Sequence, residues 1–203
     1  MGTEKETLDR LFDFFREIDK EKLIVRQNYI TGCERKETDA EHAWHAALMC
    51  ALLSRYSNNK IDVLKAVTMI LIHDIVEIDA GDTYAYDDEG KKTQHERELK
   101  AADRIFGILP DDDAEYLRPL WEEFEQSETA EAKFAHVMDN IQPIMLNDNT
   151  NGKSWREHNV ALSQMHTRNK KTHEGSQILW DYVYKNIVMP NIEKGNIIDD
   201  LKK

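Results

Sequence analysis

His42, the adjacent pair His73 and Asp74, and the distant Asp139 are the residues of this 203-residue chain whose types could do chemistry together. They bring two imidazoles and two carboxylates. Imidazole nitrogen and carboxylate oxygen suit a divalent transition metal, and four such ligands from three segments could clamp one ion while leaving positions for water. Taken singly, they are unequal. His42 alone reads more readily as a hydrogen-bonded helix residue than as a ligand, as do His45, His136, His158 and His166, and Asp139 alone is one acidic residue among 39. His73 and Asp74 stand apart because they directly follow Met69, Ile70, Leu71 and Ile72. Two ionisable groups at the end of so apolar a run are costly unless they are paired or bind a metal. Side chains of neighbouring helical residues diverge by about 100°, so both can reach one ion only at the end of a buried helix.

The elements that must position these residues are predicted from hydrophobic spacing. Leu8, Leu11, Phe12, Phe15 and Ile18 recur at three- and four-residue steps, so 7–19 reads as an amphipathic helix. Residues 21–37 read as an irregular connector carrying the basic cluster Arg26, Arg35 and Lys36. Thr38 followed by Glu41 has capping-box spacing and predicts a helix start at Thr38, running to about Tyr56 and carrying His42. A largely apolar helix over 62–78 carries His73 and Asp74, and 79–92 reads as a long polar loop. Further helices are predicted over 93–106, 112–126 and 128–147, the last carrying Asp139 and expected to kink at Pro143. Ser154 and Glu157 repeat the capping-box spacing and predict a helix towards Arg168; a final helix from His173 to Met189 would stop at Pro190. With no alternating strands and no internal repeat, the fold class is all-α.

Composition narrows the partners. The formal charge of −12 repels phosphate backbones and anionic lipid, so nucleic acid and membrane partners are not expected. A small anionic substrate is still allowed, because a few local cations or a metal can reverse the field inside one cleft. Cys33 and Cys50 form no C-x-x-C pair and suggest no disulfide framework, and no apolar segment is long enough to span a bilayer, so a cytoplasmic protein is expected.

The ordered set His42, His73-Asp74, Asp139 resembles the H…HD…D signature of HD-domain metal-dependent phosphohydrolases. Within that superfamily 35–45 (RKETDAEHAWH), 73–82 (HDIVEIDAGD) and 130–140 (AEAKFAHVMDN) are similar to the branch containing bacterial 5′-deoxynucleotidases. The likeness spans about residues 8–150. It implies an HD-domain helical bundle with a core over 1–150, a C-terminal helical extension over 151–203 packed on the same domain, and a homodimer. It implies one divalent metal (Mn, Co, Fe, Ni, Zn or Mg) held by His42, His73, Asp74 and Asp139. Glu77 matches the general acid of that family, Asp82 a second acidic residue associated with the sugar hydroxyl or the attacking water, and Arg26 the arginine that holds the substrate phosphate, with Arg35 in support. At one position the likeness breaks: where the characterised deoxynucleotidases have an aromatic residue directly after that arginine, this chain has Gln27.

The implied activity is hydrolysis of the phosphomonoester of a nucleoside or deoxynucleoside 5′-monophosphate. A phosphodiesterase or signalling-nucleotide hydrolase is the alternative within enzymes. A non-catalytic nucleotide or metal sensor, or a helical scaffold with no site, are the alternatives outside them.

Overall fold

The computed structural model describes residues 3–81 and 91–202. Helix α1 (Glu4–Ile18) opens with a capping box of Thr3 and Glu6 and leads through a short 3-10 turn into an antiparallel hairpin, β1 (Val25–Tyr29) and β2 (Lys36–Thr38). The hairpin occupies the stretch expected to be irregular. It pairs Val25 with Thr38 and Tyr29 with Lys36, so Arg26 stands on a strand rather than a loop. Helix α2 (Asp39–Leu53) starts where the capping box requires, the Thr38 hydroxyl accepting from the Glu41 N–H while the Glu41 carboxylate accepts from the Thr38 N–H.

Helix α3 (Val63–Ile72) is shorter than its apolar run suggests. The His73 ring bonds the Ile70 carbonyl through Nδ1 at 2.7 Å, a group the helical ladder would otherwise offer to the backbone N–H of Asp74. The chain turns through 73–76 and resumes as the single turn α4 (Glu77–Ala80). Glu77 therefore does not continue the face of α3, as a helix to Ile78 would require; it begins a new element whose first N–H donates to the Asp74 carbonyl at 2.8 Å. Helices α5 (Lys91–Phe106) and α6 (Asp111–Gln126) follow.

Helix α7 (Ala130–Asn149) is the axis of the molecule, with Phe134, Ala135, Val137 and Met138 fully buried, and it packs against α2, α3 and α6. Pro143 sits inside it, which leaves the carbonyl of Asp139 without its usual helical donor. The C-terminal part is more broken than expected: α8 (Lys153–Glu157), α9 (Leu162–Arg168), α10 (Thr172–Gly175), α11 (Gln177–Val183) and α12 (Met189–Glu193). Ser154 and Glu157 form no capping box, because Gly152 caps α8 and Glu157 instead accepts from the Tyr29 hydroxyl. Pro190 does not stop the last helix. Residues 184–188 form a π turn, and Pro190 lies in the first turn of α12, where its missing N–H is not needed. Against α7 lies α10, and a single parallel bridge joins Ala161 to Ile198. Among the described residues no helix is long and apolar enough to cross a membrane.

Candidate metal centre

Three helices meet where the four candidate ligands stand. His42 comes from the first turns of α2, His73 and Asp74 from the end of α3, and Asp139 from the middle of α7, all four buried. His42 Nε2 lies 3.2 Å from Asp139 Oδ1 and 4.0 Å from Asp74 Oδ2. His73 Nε2 lies 3.0 Å from Asp74 Oδ2 and 3.7 Å from Asp139 Oδ1. One atom each from His42, His73 and Asp139 falls within 4.8 Å of the others, the spacing of ligands around a single ion.

The neighbours fix which ring nitrogen carries a proton. His73 Nδ1 faces a backbone carbonyl and so must be its N–H donor. His42 Nδ1 lies 2.9 Å from Gln142 Oε1, and the amide is oriented by donating from Nε2 to Glu37 at 2.6 Å, with His45 Nδ1 at 3.2 Å on the same nitrogen. Both imidazoles therefore turn Nε2 towards the carboxylates. His73 Nε2 is a buried atom with no hydrogen-bond partner. Buried electron-pair donors clustered from His42, His73 and Asp139, with Asp74 against His73, repel one another unless positive charge stands among them. The donor set thus fits a divalent cation of the kind bound by imidazole and carboxylate.

With no metal bound, a proton on His73 supplies that positive charge. Burial works against His73 becoming charged, yet Asp74 and Asp139 push its pKa well above the ordinary imidazole value. Burial also opposes ionisation of the two acids. The His73 and Arg26 charges nevertheless hold Asp74 down, and Arg168 with the two histidines holds Asp139 well below the usual carboxylate range. His42, fully enclosed and near Arg26, is pushed down and kept neutral, the state a ligand needs.

Each candidate carboxylate also receives a guanidinium. Arg26 donates to Asp74 Oδ2 at 2.7 Å and to Asp39 at 3.1 Å. Arg168 donates from Nη2 to Asp139 Oδ2 at 2.9 Å. Both arginines line a cavity of about 200 Å³ with His73, Asp74, Glu77 and Asp139. Gln27 lines it too and accepts a hydrogen bond from Lys36. Arg35 is turned away, clamping Glu41 and holding that carboxyl at about 2, so it serves the cap of α2. Asp82 lies outside the described residues. His95 is exposed on α5, and His136 bonds the Phe124 carbonyl while stacking on the Phe124 ring; neither joins the ligand cluster.

The structure adds residues that the sequence did not single out. Gln142 follows Asp139 by three, one turn along α7, and that spacing beside a candidate ligand was a usable signal. Glu98 and Glu125 line the same cavity from α5 and α6, and Arg168 enters from α9; in a chain this rich in charge, nothing in their spacing marks them. Burial pushes Glu98 up, and burial together with the neighbouring Glu98 charge raises Glu125 to about 7, even though the Glu125 side chain reaches solvent at the cavity mouth.

Residues 18–180 match the HD domain family. Across 97% of this chain and 98% of the other, the fold superposes with a TM-score of 0.91 and 39% identity on a crystal structure described as a predicted metal-dependent phosphohydrolase from Magnetospirillum magnetotacticum MS-1. An HD-domain phosphohydrolase from Listeria innocua shares the fold alone, with a TM-score of 0.64 at 16% identity over 92% of each chain. Human 5′-deoxynucleotidase HDDC2 is 29% identical over 136 residues, 66% of this chain and 65% of that protein, so the match spans slightly less than two thirds of the human relative. A fission-yeast 5′-deoxynucleotidase is 27% identical over 117 residues, 56% of this chain and 58% of its own. With the match covering most of its length, the chain belongs to the HD domain family.

Proposed function

We propose that the chain is a metal-dependent phosphohydrolase that cleaves the phosphomonoester of a nucleoside or deoxynucleoside 5′-monophosphate. The observation that carries this reading is the cluster of His42 Nε2, His73 Nε2 and an Asp139 oxygen within 4.8 Å of one another, with Asp74 against His73, flanked by two arginines at the wall of a cavity. The deoxynucleotidase relatives and the phosphohydrolase of matching fold support it.

His42, His73, Asp74 and Asp139 would hold one divalent ion, drawn from Mn, Co, Fe, Ni, Zn or Mg. Bound there, such an ion supplies charge neutralisation at the phosphate and acidifies water. The chain's own residues do the rest. Arg26 lines the cavity beside Asp74, placed to meet a phosphate oxygen with its guanidinium. Glu77, buried on the same wall, gives a proton to the sugar oxygen as the P–O5′ bond breaks and water oxygen takes its place on phosphorus. Asp82 is assigned to the sugar hydroxyl or the attacking water. Gln27, where an aromatic side chain would exclude a 2′-hydroxyl, offers an amide instead, so ribonucleotides and deoxynucleotides are both accepted.

Residues 151–203 are assigned to the same unit as 1–150, a reading supported by the bond from Arg168 of α9 to Asp139 of α7. A homodimer would cover the outer face of α2 and α3, where Trp44, Leu48 and Leu52 recur every four residues and Leu64 and Leu71 stand exposed beside them. Cys33 and Cys50 are free thiols, which supports a reducing compartment such as the cytoplasm as the site of action.

The deciding experiment is a phosphate-release screen over ribo- and deoxynucleotides with each of these ions, on wild type and Arg26→Gln. Release from 5′-monophosphates, with KM raised in the variant by about tenfold or more, is the expected result. No release from any nucleotide with any ion, together with metal content unchanged by His73→Ala, overturns the reading.

A further inference from the structure

A second cavity of about 190 Å³ adjoins the first and shares Glu125, His136, Asn140 and Arg168 with it. Its lining is unlike the rest of the molecule. Lys133, Arg168, Lys170 and Lys171 face it, against the single carboxylate of Glu125, in a chain whose acidic residues outnumber its basic ones by 39 to 27. Lys133 is partly committed, 3.0 Å from Glu174, and Arg168 is tied to Asp139 through Nη2. Lys170 and Lys171 are exposed at the rim.

The wall carrying these cations is built rather than draped. Asn169 donates to the Met165 carbonyl at 3.0 Å, and the Thr172 N–H closes back on the Asn169 carbonyl at 3.0 Å. Asn140, the residue after Asp139, donates to the Thr172 hydroxyl at 3.1 Å. The segment 168–172 is thereby pinned to α7 beside the metal centre. Three more cations clustered round Arg168 then bring positive potential to a place where a protein of net charge −12 has little reason to concentrate it. The Thr172 hydroxyl is spent on Asn169 Oδ1 at 3.3 Å, so of the two hydroxyl residues lining the cavity Ser127 is the one that can donate to the same anion.

We propose that this second cavity is a phosphate subsite, taking a phosphate group other than the one being hydrolysed. The proposal rests on the phosphohydrolase reading of the first cavity, which it deepens. The group can come from two sources: a second phosphate carried by the nucleotide, or the inorganic phosphate released by turnover. Arg168, facing both cavities, couples the two.

The test begins with binding alone. Inorganic phosphate is titrated into metal-free protein, wild type and the double variant Lys170→Ala/Lys171→Ala, whose rim lysines lie outside the first cavity and whose fold is checked by circular dichroism. The double variant is expected to bind about fivefold or more weakly, and wild-type binding to weaken as salt is raised. Equal binding by the two overturns the proposal. Metal-loaded enzyme then separates the sources. If the phosphate rides on the substrate, the wild-type preference in kcat/KM for a nucleoside 3′,5′-bisphosphate over the 5′-monophosphate falls in the double variant while the monophosphate rate is unchanged. If it is released phosphate, that preference stays and product inhibition by phosphate weakens by a similar factor; movement in neither overturns the proposal. Because the titration needs no turnover, an enzyme inactive on every phosphomonoester would sink the phosphohydrolase reading and leave the subsite to be judged on its own.

Discussion

Glu77, Glu98 and Glu125, from α4, α5 and α6, reach the same cavity as Arg26 and Arg168, from β1 and α9. Desolvation pushes the Glu98 carboxyl up and, together with the neighbouring Glu98 charge, raises Glu125 to about 7. The guanidiniums are instead tied to the ligand acids, Arg26 to Asp74 and Arg168 to Asp139. One group of elements carries acids, of which Glu125 titrates near neutral pH; the other carries guanidinium charge that does not. Breaking and protonating a phosphate ester needs both, and dividing the tasks between separate elements lets each be tuned without neutralising the other.

The largest effect is expected where the two groups meet. Asp139→Ala removes a ligand and the partner of Arg168, and should take both bound metal and phosphate release to background, read by metal analysis and a phosphate assay. Breaking the acidic group alone is next. Glu77→Gln should lower kcat by about 10²–10⁴-fold while metal content stays at the wild-type level; loss of metal with it would move Glu77 out of the proton role. A smaller effect probes the frame behind the ligands. Gln142→Leu frees the His42 tautomer, and metal affinity measured by competition with a chelator should fall by about 10–100-fold.

The smallest prediction concerns stability. Because the folded protein holds a proton on Glu125 that the unfolded chain has released, the unfolded state binds fewer protons between about 4.5 and about 7. Stability contributed by that group is full below 4.5 and is lost as pH rises through 7. In metal-free protein, Glu125→Gln should therefore lose less Tm than wild type between about pH 5 and about pH 8. A change of the same size in both proteins would show that Glu125 titrates as a solvent-facing acid.

What the sequence made legible follows the same divide. Residues whose burial is anomalous were visible: His73 and Asp74 end an apolar run, and Thr38 with Glu41 announces the helix that carries His42. The all-α class was visible from periodicity, although the hairpin of β1 and β2 was not, because strands of five and three residues are too short for alternation to register. The end of α3 at Ile72 was hidden as well, since it depends on a side-chain bond from His73 to its own helix rather than on a breaker residue. Arg168, Glu98 and Glu125 were illegible for a different reason. Their importance comes from long-range packing that brings α5, α6 and α9 to one cavity, and a third of the chain is charged.

Trp121 is almost fully enclosed, and its indole N–H donates to the backbone carbonyl of His73 at 3.2 Å. That bond places a natural chromophore one residue-length from the centre of the chemistry. Its share of the emission of the chain's four tryptophans becomes an optical gauge of whether His73 is engaged, so loading and emptying of the site can be followed in real time without a label as the signal that Trp121→Phe removes.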